Sequence, residues 1–290
     1  NPPTDTPQSI YEVKVEGNNI LVKKQDKSKA SSRLELTLLE KDKVEGTDVV
    51  SFKFSKQGDL GEKTDKTLLD YTAGQFAFFD IGGVYNDSKG PIRHFTISSS
   101  PTENFIMFST RIRDSPYKRR LSTLEHGAKV KVRGSEGQFV LHQDYSKPAV
   151  FLSGGIGVTP FRTMIKYATD KQLPLKIIMF DSNRDRDNIL FKKEFDDWSN
   201  INKNLKIIYT ISEDQHGQQS STTAKNDDWK GEYGRIDKSM ILKYVDSNVL
   251  NNSIFYICGP PSLLKAMQAL LQEDLTIPKE RIKVEEFTGY

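Results

Sequence analysis

Apolar and polar residues alternate along the first half of the chain, with the two-residue period of a half-buried β-strand. Leu34, Leu36 and Leu38 alternate with polar residues, and residues 49–54 have the character of a second strand. Further strands are predicted over residues 75–81, 92–98, 104–110, 129–133 and 138–142, and one helix over residues 117–124. Short strands separated by turn residues in this way predict an antiparallel β-barrel or sandwich.

The period changes after Pro148, where short apolar strands begin to alternate with helical segments. Strands are predicted over residues 149–152, 175–180, 205–209, 253–257 and 282–287. Helices are predicted between them, over residues 159–168, 188–198, 237–244 and 261–272. This order predicts a doubly wound parallel sheet, with residues 212–230 as a polar surface excursion.

Two domains follow from these patterns. We expect an antiparallel β-barrel domain over residues 32–146 and an α/β domain over residues 147–290, preceded by an extension over residues 1–31. The extension contains a predicted hairpin around Gly17 and then a charged linker. It is interpreted either as the tail of a preceding domain or as extra strands on the barrel, and the second interpretation is favoured.

Composition narrows the class of protein. The 290 residues are 36% hydrophobic and 28% charged, which is ordinary for a globular protein with a core. A net charge of +3 gives no basic excess that would favour nucleic-acid binding. The single cysteine, Cys258, excludes an intramolecular disulfide and a cluster held by four cysteines, and we expect no metal site.

The apolar runs are all too short to cross a bilayer. We therefore expect no transmembrane segment in this chain and a cytoplasmic location. Because the chain starts at Asn1 rather than at methionine, a position at the cytoplasmic face of a membrane is the alternative, if an anchor precedes it.

A glycine-rich turn is the strongest chemical signal. Gly154, Gly155 and Gly157 follow a buried strand, and Thr159-Pro160 begins a predicted helix. Glycines allow close approach of the backbone to a phosphate, and the amides at a helix N-terminus favour an anion. The turn is therefore interpreted as a dinucleotide pyrophosphate site rather than as a tight turn alone.

Two weaker signals lie on other strands. The first, Arg93 to Pro101, combines a cation, an aromatic ring and several hydroxyls, and alternation puts Arg93 and Phe95 on one face and His94 and Thr96 on the other. The second, Cys258-Gly259-Pro260, ends an apolar strand at the edge where ligands of parallel sheets bind. Taken alone, each favours an ordinary structural interpretation, which is a half-exposed polar strand for the first and a small buried cysteine for the second.

Together these segments resemble the ferredoxin–NADP reductase superfamily, whose members pair a flavin barrel with a nicotinamide domain. The resemblance covers residues 32–290. The matching segments, in chain order, are Tyr71 with Gly74-Gln75-Phe76, Arg93-His94-Phe95-Thr96, Gly134 to Phe139, Gly154 to Pro160, and Cys258-Gly259-Pro260. The second resembles the flavin signature Arg-x-Tyr-Ser/Thr, and the fourth resembles the nicotinamide-dinucleotide turn.

The resemblance implies a role for each matching residue. Arg93 would neutralise the flavin phosphate, Phe95 would lie against one face of the isoalloxazine, and Thr96 would hydrogen-bond near its N5. The nicotinamide would be positioned by Thr159 and Cys258. The other implied or candidate cofactor-binding residues are His94, Ser98, Ser99, Arg111, Ser115, Lys118, Gly154, Gly155, Gly157, Pro160, Gly259 and Pro260.

The chain departs from the family pattern at several positions. Phe95 replaces the usual tyrosine, so that stacking is kept and a hydroxyl is lost. Lys118 stands where many relatives have a small hydroxyl residue, which weakens the preference for FAD over FMN. At the C-terminus, Phe287 and Tyr290 are alternative aromatic shields for the flavin.

The implied reaction is hydride transfer from NADPH or NADH to FAD, with no general base required. Glu286 is a candidate for holding the nicotinamide amide or relaying a proton, and a solvated carboxylate is the equal alternative. Ser182 and Arg184 follow the second parallel strand and favour NADPH slightly, with Arg235 as another candidate for a 2′-phosphate.

The electron acceptor is expected to be a separate one-electron carrier, such as a ferredoxin, flavodoxin or cytochrome, or a fused domain that is missing from this chain. A basic cluster that includes Arg111, Lys118 and Arg119 is interpreted as a guide for an acidic carrier, as part of the flavin site, or as a solvated face. The two alternative functions are the reductase portion of a larger oxygenase or membrane electron-transfer assembly, and a non-catalytic nucleotide-binding module.

Overall fold

The computed structural model describes residues 11–16, 19–24, 34–60, 63–212 and 229–287, with only the backbone described for residues 11–24 and 58–67. Tyr290 and most of the polar excursion at 212–230 therefore lie outside the described residues. The first two strands, β1 (Tyr11–Glu16) and β2 (Asn19–Lys24), form the predicted antiparallel hairpin as a separate two-stranded sheet.

The next eight strands form one antiparallel sheet around an aromatic core. They are β3 (Leu34–Lys43), β4 (Val49–Ser55), β5 (Gln57–Leu60), β6 (Lys63–Leu68), β7 (Phe76–Asp80), β8 (Ile92–Thr96), β9 (Phe105–Arg111) and β10 (Lys129–Glu136). Their order is β6-β5-β3-β10-β7-β8, and β4 pairs with both β3 and β9. A short helix, α1 (Pro116–Ser122), follows β9 and is N-capped by Ser115, whose Oγ accepts from the amide of Lys118.

The core of this sheet is a stack of phenylalanines that the alternating pattern points inward. Phe95 lies parallel to Phe108, with 4.3 Å between ring centroids, and Phe108 in turn contacts Phe52 and Phe79. Each of these rings is almost fully buried. The alternation predicted along residues 92–98 is therefore confirmed, with Phe95 and Ile97 inside.

The second half of the chain forms a six-stranded parallel sheet. Its strands are β11 (Ala149–Gly154), β12 (Ile177–Asn183), β13 (Leu205–Ile211), β14 (Glu232–Tyr233), β15 (Ile254–Gly259) and β16 (Ile282–Glu286), in the order β14-β13-β12-β11-β15-β16. Its helices are α2 (Thr159–Asp170), α3 (Lys192–Ile201), α4 (Lys238–Tyr244), α5 (Ser247–Asn252) and α6 (Pro261–Ala269). Separate apolar clusters cover its two faces, as a doubly wound sheet requires.

Two local predictions were wrong, and two strands were not predicted. Residues 138–142 form no strand, because the carbonyl of Val140 accepts hydrogen bonds from the side chains of Lys283 and Tyr256 instead of a neighbouring strand. The helix predicted from residue 188 begins at Lys192, after Phe191 in the left-handed region at a φ of 59°. The polar strands β5 and β6 were not predicted, because they carry no apolar alternation.

Candidate functional site

A cleft of about 780 Å³ lies between the β-sheet domain and the carboxyl ends of the parallel strands. This volume is within the range of small-molecule sites, and ligands of parallel sheets bind at this edge. The barrel side of the cleft is formed by Phe76, His94, Phe95, Thr96, Ser109, Thr110, Arg111 and Arg113. The nucleotide-domain side includes Gly154, Gly155, Thr159, Ser182, Arg184, Arg235, Pro260, Glu285, Glu286 and Phe287.

The glycine-rich turn forms the floor of the cleft. After β11, residues 155–158 make one turn of 3₁₀-helix that leads directly into α2. Gly155 has a φ of 53°, and a Cβ built there would meet only the Arg111 guanidinium, at 3.7 Å. The backbone at Gly155 is therefore open to the cleft, as close approach of a phosphate requires.

Gly157 has a different function, which is packing. A Cβ at this position would lie 2.4 Å from the carbonyl oxygen of Cys258. The turn consequently rests on the end of β15, and only glycine permits that approach. Thr159 is the first residue of α2, as predicted, and its hydroxyl donates back to the carbonyl of Ile156 at 3.1 Å.

Cys258 itself is fully buried and does not line the cleft. Burial, with a smaller effect of Glu285, raises the pKa of its thiol well above the ordinary value. The contact of Cys258 with a nicotinamide stays a prediction. The backbone carbonyl of Cys258 packs against Gly157.

Two carboxylates from β16 reach the cleft, of which the sequence singled out one. Glu286 is exposed, whereas Glu285 is half-buried and pairs in register with Cys258. Burial raises the pKa of Glu285. Glu285 is therefore the less solvated of the two carboxylates. The register between β16 and β15 determines this, and local sequence patterns do not report that register.

Arg93 is placed differently from what the family resemblance implies. Its guanidinium forms an ion pair with Asp87, and both side chains are almost fully buried. The same guanidinium donates to the carbonyls of Lys89, Gly90 and Ile92 at 2.7–2.9 Å. Arg93 does not line the cleft, because the preceding loop has enclosed it.

Asp87 links the Arg93 guanidinium to the start of α1. Its carboxylate also accepts from the backbone amide of Tyr117 at 3.0 Å, at the start of α1. Burial opposes its charge, but hydrogen bonds from Lys89, Tyr117 and Arg93 hold its pKa below the ordinary range. The guanidinium that the resemblance assigns to a flavin phosphate is thus paired with a carboxylate of this chain.

Phe95 and Lys118 pack against each other within the barrel. The Phe95 ring is buried against Phe108, and the Lys118 ammonium lies 4.7 Å from its centroid. Lys118 is 1% exposed and donates to the Thr110 hydroxyl, so it is not part of a basic surface. Burial, together with Arg93 and Arg113, lowers its pKa to about 7.

Several candidate hydroxyls serve the fold rather than the cleft. Ser98 and Ser99 are fully buried; Ser98 Oγ donates to the Met107 carbonyl, and Ser99 Oγ accepts from the Met107 amide. Pro160 and Gly259 also lie outside the lining of the cleft. Thr96 is the candidate hydroxyl on the barrel strand that does line it.

The cleft therefore fits a flavin and a nicotinamide dinucleotide in part. The open turn at Gly155, the Thr96 hydroxyl and the Phe287 ring offer a phosphate cradle, a polar contact and an aromatic surface. The pairing of Arg93 with Asp87 does not fit a phosphate contact at Arg93. Arg111 and Arg113 are the barrel cations that reach the cleft instead.

Comparison with known proteins agrees with this architecture. Residues 151–269 match the family model of the oxidoreductase NAD-binding domain. Flavohemoprotein A of Dictyostelium discoideum is 25% identical over 255 residues, and the match covers 84% of this chain and 57% of that relative. One component of the Na(+)-translocating NADH-quinone reductase of Idiomarina loihiensis is 26% identical, over 74% of this chain and 53% of that relative. The chain thus spans a little over half the length of these curated relatives.

Solved structures show the same fold. The flavohem-like FAD/NAD binding domain of nitric oxide dioxygenase from Vibrio cholerae aligns over 88% of this chain and 98% of that domain, with a TM-score of 0.69 and 18% identity. A ferredoxin NADP+ reductase from Neisseria gonorrhoeae aligns over 88% of this chain and 99% of its own, with a TM-score of 0.65 and 16% identity. The fold is a two-domain arrangement of an antiparallel β-domain and a doubly wound α/β domain, as the sequence predicted. The chain shares the fold of these solved structures, and its residues 151–269 match the oxidoreductase NAD-binding domain, in line with the resemblance to the ferredoxin–NADP reductase superfamily.

Proposed function

We propose that this chain is a flavin-dependent oxidoreductase that takes hydride from NAD(P)H and passes the electrons to an acceptor outside the described structure. The observation that carries the proposal is that Thr96 of the barrel and the Gly154–Thr159 turn of the nucleotide domain line the same cleft from its two sides. When bound there, flavin and nicotinamide would supply the redox chemistry, and the protein would orient them and exclude water.

The chain's own residues would divide this work. Thr96 would contact the flavin edge, the open backbone at Gly155 would hold the dinucleotide phosphates, and Phe287 would lie against a ring from the side of β16. Glu285 would face the nicotinamide region from the edge of the sheet. FAD is the flavin that we propose, since the V. cholerae protein is an FAD/NAD binding domain and the N. gonorrhoeae reductase was solved with bound FAD and NADP.

We propose NADPH as the preferred nucleotide. Asp181, the acid at the end of β12, is buried and does not line the cleft; burial raises its pKa to about 6. The cleft at this edge instead presents Ser182, Arg184 and Arg235. A guanidinium beside the ribose favours a 2′-phosphate, whereas a carboxylate would favour the free diol.

The acceptor is proposed to be a separate one-electron carrier protein or a further domain of a longer protein. The relatives include a flavohemoprotein and a component of an NADH-quinone reductase, and both are longer than this chain. Among the described residues, none of the helices has the length and apolarity needed to cross a membrane.

The test is anaerobic bleaching of the flavin absorbance by NADPH and by NADH, after saturation of the protein with FAD. We expect bleaching by both nucleotides at high concentration and half-saturation at lower NADPH than NADH. Arg235→Gln should remove most of that difference, whereas Lys265→Gln, an exposed change on α6 outside the cleft lining, should not. A protein that binds flavin but is bleached by neither nucleotide would favour the non-catalytic nucleotide-binding module.

A further inference from the structure

Arg162 is a buried cation that joins the two domains. It lies on α2, three positions after Thr159, and is 1% exposed. Two carboxylates share it: Glu103, from the loop between β8 and β9, and Glu194, from α3. The first belongs to the flavin-side domain and the second to the nucleotide domain.

The contact with the barrel loop is bidentate and extends to its backbone. Arg162 Nη1 donates to Glu103 Oε2 at 2.9 Å, and Nη2 donates to Glu103 Oε1 at 3.1 Å. Nη1 also donates to the carbonyl oxygen of Ser98 at 2.7 Å. Paired hydrogen bonds of this kind fix direction as well as distance, because the guanidinium is planar.

The contact within the nucleotide domain fixes the other side of the guanidinium. Arg162 Nε donates to Glu194 Oε2 at 3.0 Å, and Nη2 donates to Glu194 Oε1 at 2.5 Å. The rings of Phe191 and Trp198 each lie 5.3 Å from its Cζ. The side chain therefore has one defined position relative to α3.

The barrel loop that receives Arg162 is itself anchored. Lys56 Nζ donates to the carbonyls of Pro101 and Glu103 at 2.5 and 2.6 Å, and Ser99 Oγ accepts from the Met107 amide at 2.9 Å. A shift of Arg162 would consequently be transmitted to the barrel rather than absorbed by a loose loop. Ser98 lies two residues after Thr96, which lines the cleft.

We propose that Arg162, through Glu103 and the Ser98 carbonyl, is the positioning residue that sets the distance between the flavin side and the nicotinamide side of the cleft. The proposal rests on the proposed function for its kinetic consequence. Arg162 does not line the cleft and contacts no reacting atom, so its effect is on geometry alone. Hydride transfer between two bound rings is sensitive to the distance between them, and a displacement of about 1 Å can lower the rate about a hundredfold.

Glu103 and Glu194 provide a matched pair of variants. Glu103→Gln weakens the contact that crosses between domains, and Glu194→Gln weakens the contact within one domain, while each leaves Arg162 one carboxylate. With the FAD-loaded full chain, the measurement is the limiting rate of anaerobic bleaching at saturating NADPH, beside the thermal midpoint of each variant. Hydrogen–deuterium exchange of residues 98–103 and 154–159 is measured on the same proteins.

We expect Glu103→Gln to lower the limiting rate about tenfold with little change in the NADPH concentration for half-saturation. Glu194→Gln should lose comparable thermal stability and keep a limiting rate within about twofold of the parent. Equal limiting rates in the two variants would overturn the proposal, because both carboxylates would then act on stability alone.

The exchange measurement separates this proposal from the proposed function. If neither nucleotide bleaches the parent protein, the function fails, but the positioning role is still tested. In that case we expect Glu103→Gln to accelerate exchange in both 98–103 and 154–159, and Glu194→Gln to accelerate it in α3. Unchanged exchange in the first two segments of Glu103→Gln would refute the role of Arg162.

Discussion

Replacement of Lys118 by methionine tests the buried electrostatics beneath the cleft. The Lys118 ammonium lies between Phe95 and Thr110, and its pKa is about 7 instead of 10.5. The difference of about 3.5 units corresponds to about 5 kcal/mol at about 1.4 kcal/mol per unit. This is the upper magnitude of the penalty that the charged amine imposes on the folded state.

The sign of the pH dependence follows from the two protonation equilibria. Below about pH 7 the lysine is protonated in the folded and the unfolded protein, and the full penalty applies. Between about pH 7 and 10.5 the unfolded chain binds more protons than the folded one, so that stability rises with pH. From pH 7 to pH 9 the gain is about 2 kcal/mol.

The assay is urea unfolding at pH 7 and pH 9 of the parent, Lys118→Met and the control Lys265→Met. We expect Lys118→Met to be more stable than the parent at pH 7, and this advantage to shrink by about 2 kcal/mol at pH 9. Lys265 is exposed on α6, so its removal should give the same small effect at both pH values. An advantage of Lys118→Met that is equal at the two pH values would contradict a lowered pKa of Lys118.

Two further predictions concern the turn and the flavin phosphate. Gly157→Ala should destabilise the protein by about 2 kcal/mol and weaken nucleotide binding, since its Cβ would lie 2.4 Å from the Cys258 carbonyl; thermal unfolding and nucleotide titration measure both, and an unchanged midpoint would contradict the packing role. Because Arg93 is paired with Asp87, Arg93→Gln should change the preference for FMN over riboflavin by less than about tenfold, whereas loss of a charged hydrogen bond to the phosphate would remove about 1.5–3 kcal/mol. Fluorescence titration of the parent and the variant with the two flavins decides this, and a loss of a hundredfold or more of the preference in Arg93→Gln would show that Arg93 meets the phosphate.

Local patterns predicted the architecture well, because both domains are built from regular elements. The alternation of Leu34, Leu36 and Leu38 buries all three, and the glycines at 154–157 lie at the end of a parallel strand where the cleft forms. These features depend on neighbours in the sequence, and periodicity reports them directly.

The parts that could not be predicted depend on pairs that are distant in the chain or on the path of a loop. Asp87 gave no signal as the partner of Arg93, since only the folded loop brings its carboxylate to the guanidinium. In the sequence, Lys118 has the pattern of a surface cation, whereas the packing of α1 places its ammonium over the Phe95 ring. Glu285, rather than Glu286, is half-buried because of the register between β15 and β16.

We propose that the cleft brings nicotinamide and flavin into direct contact for hydride transfer. The most direct measurement is the limiting rate of anaerobic flavin bleaching with NADPH deuterated at one or the other face of nicotinamide C4. Direct transfer in a fixed orientation predicts a primary isotope effect for one face and none for the other. Equal rates with both labelled nucleotides, or the absence of bleaching, would contradict it.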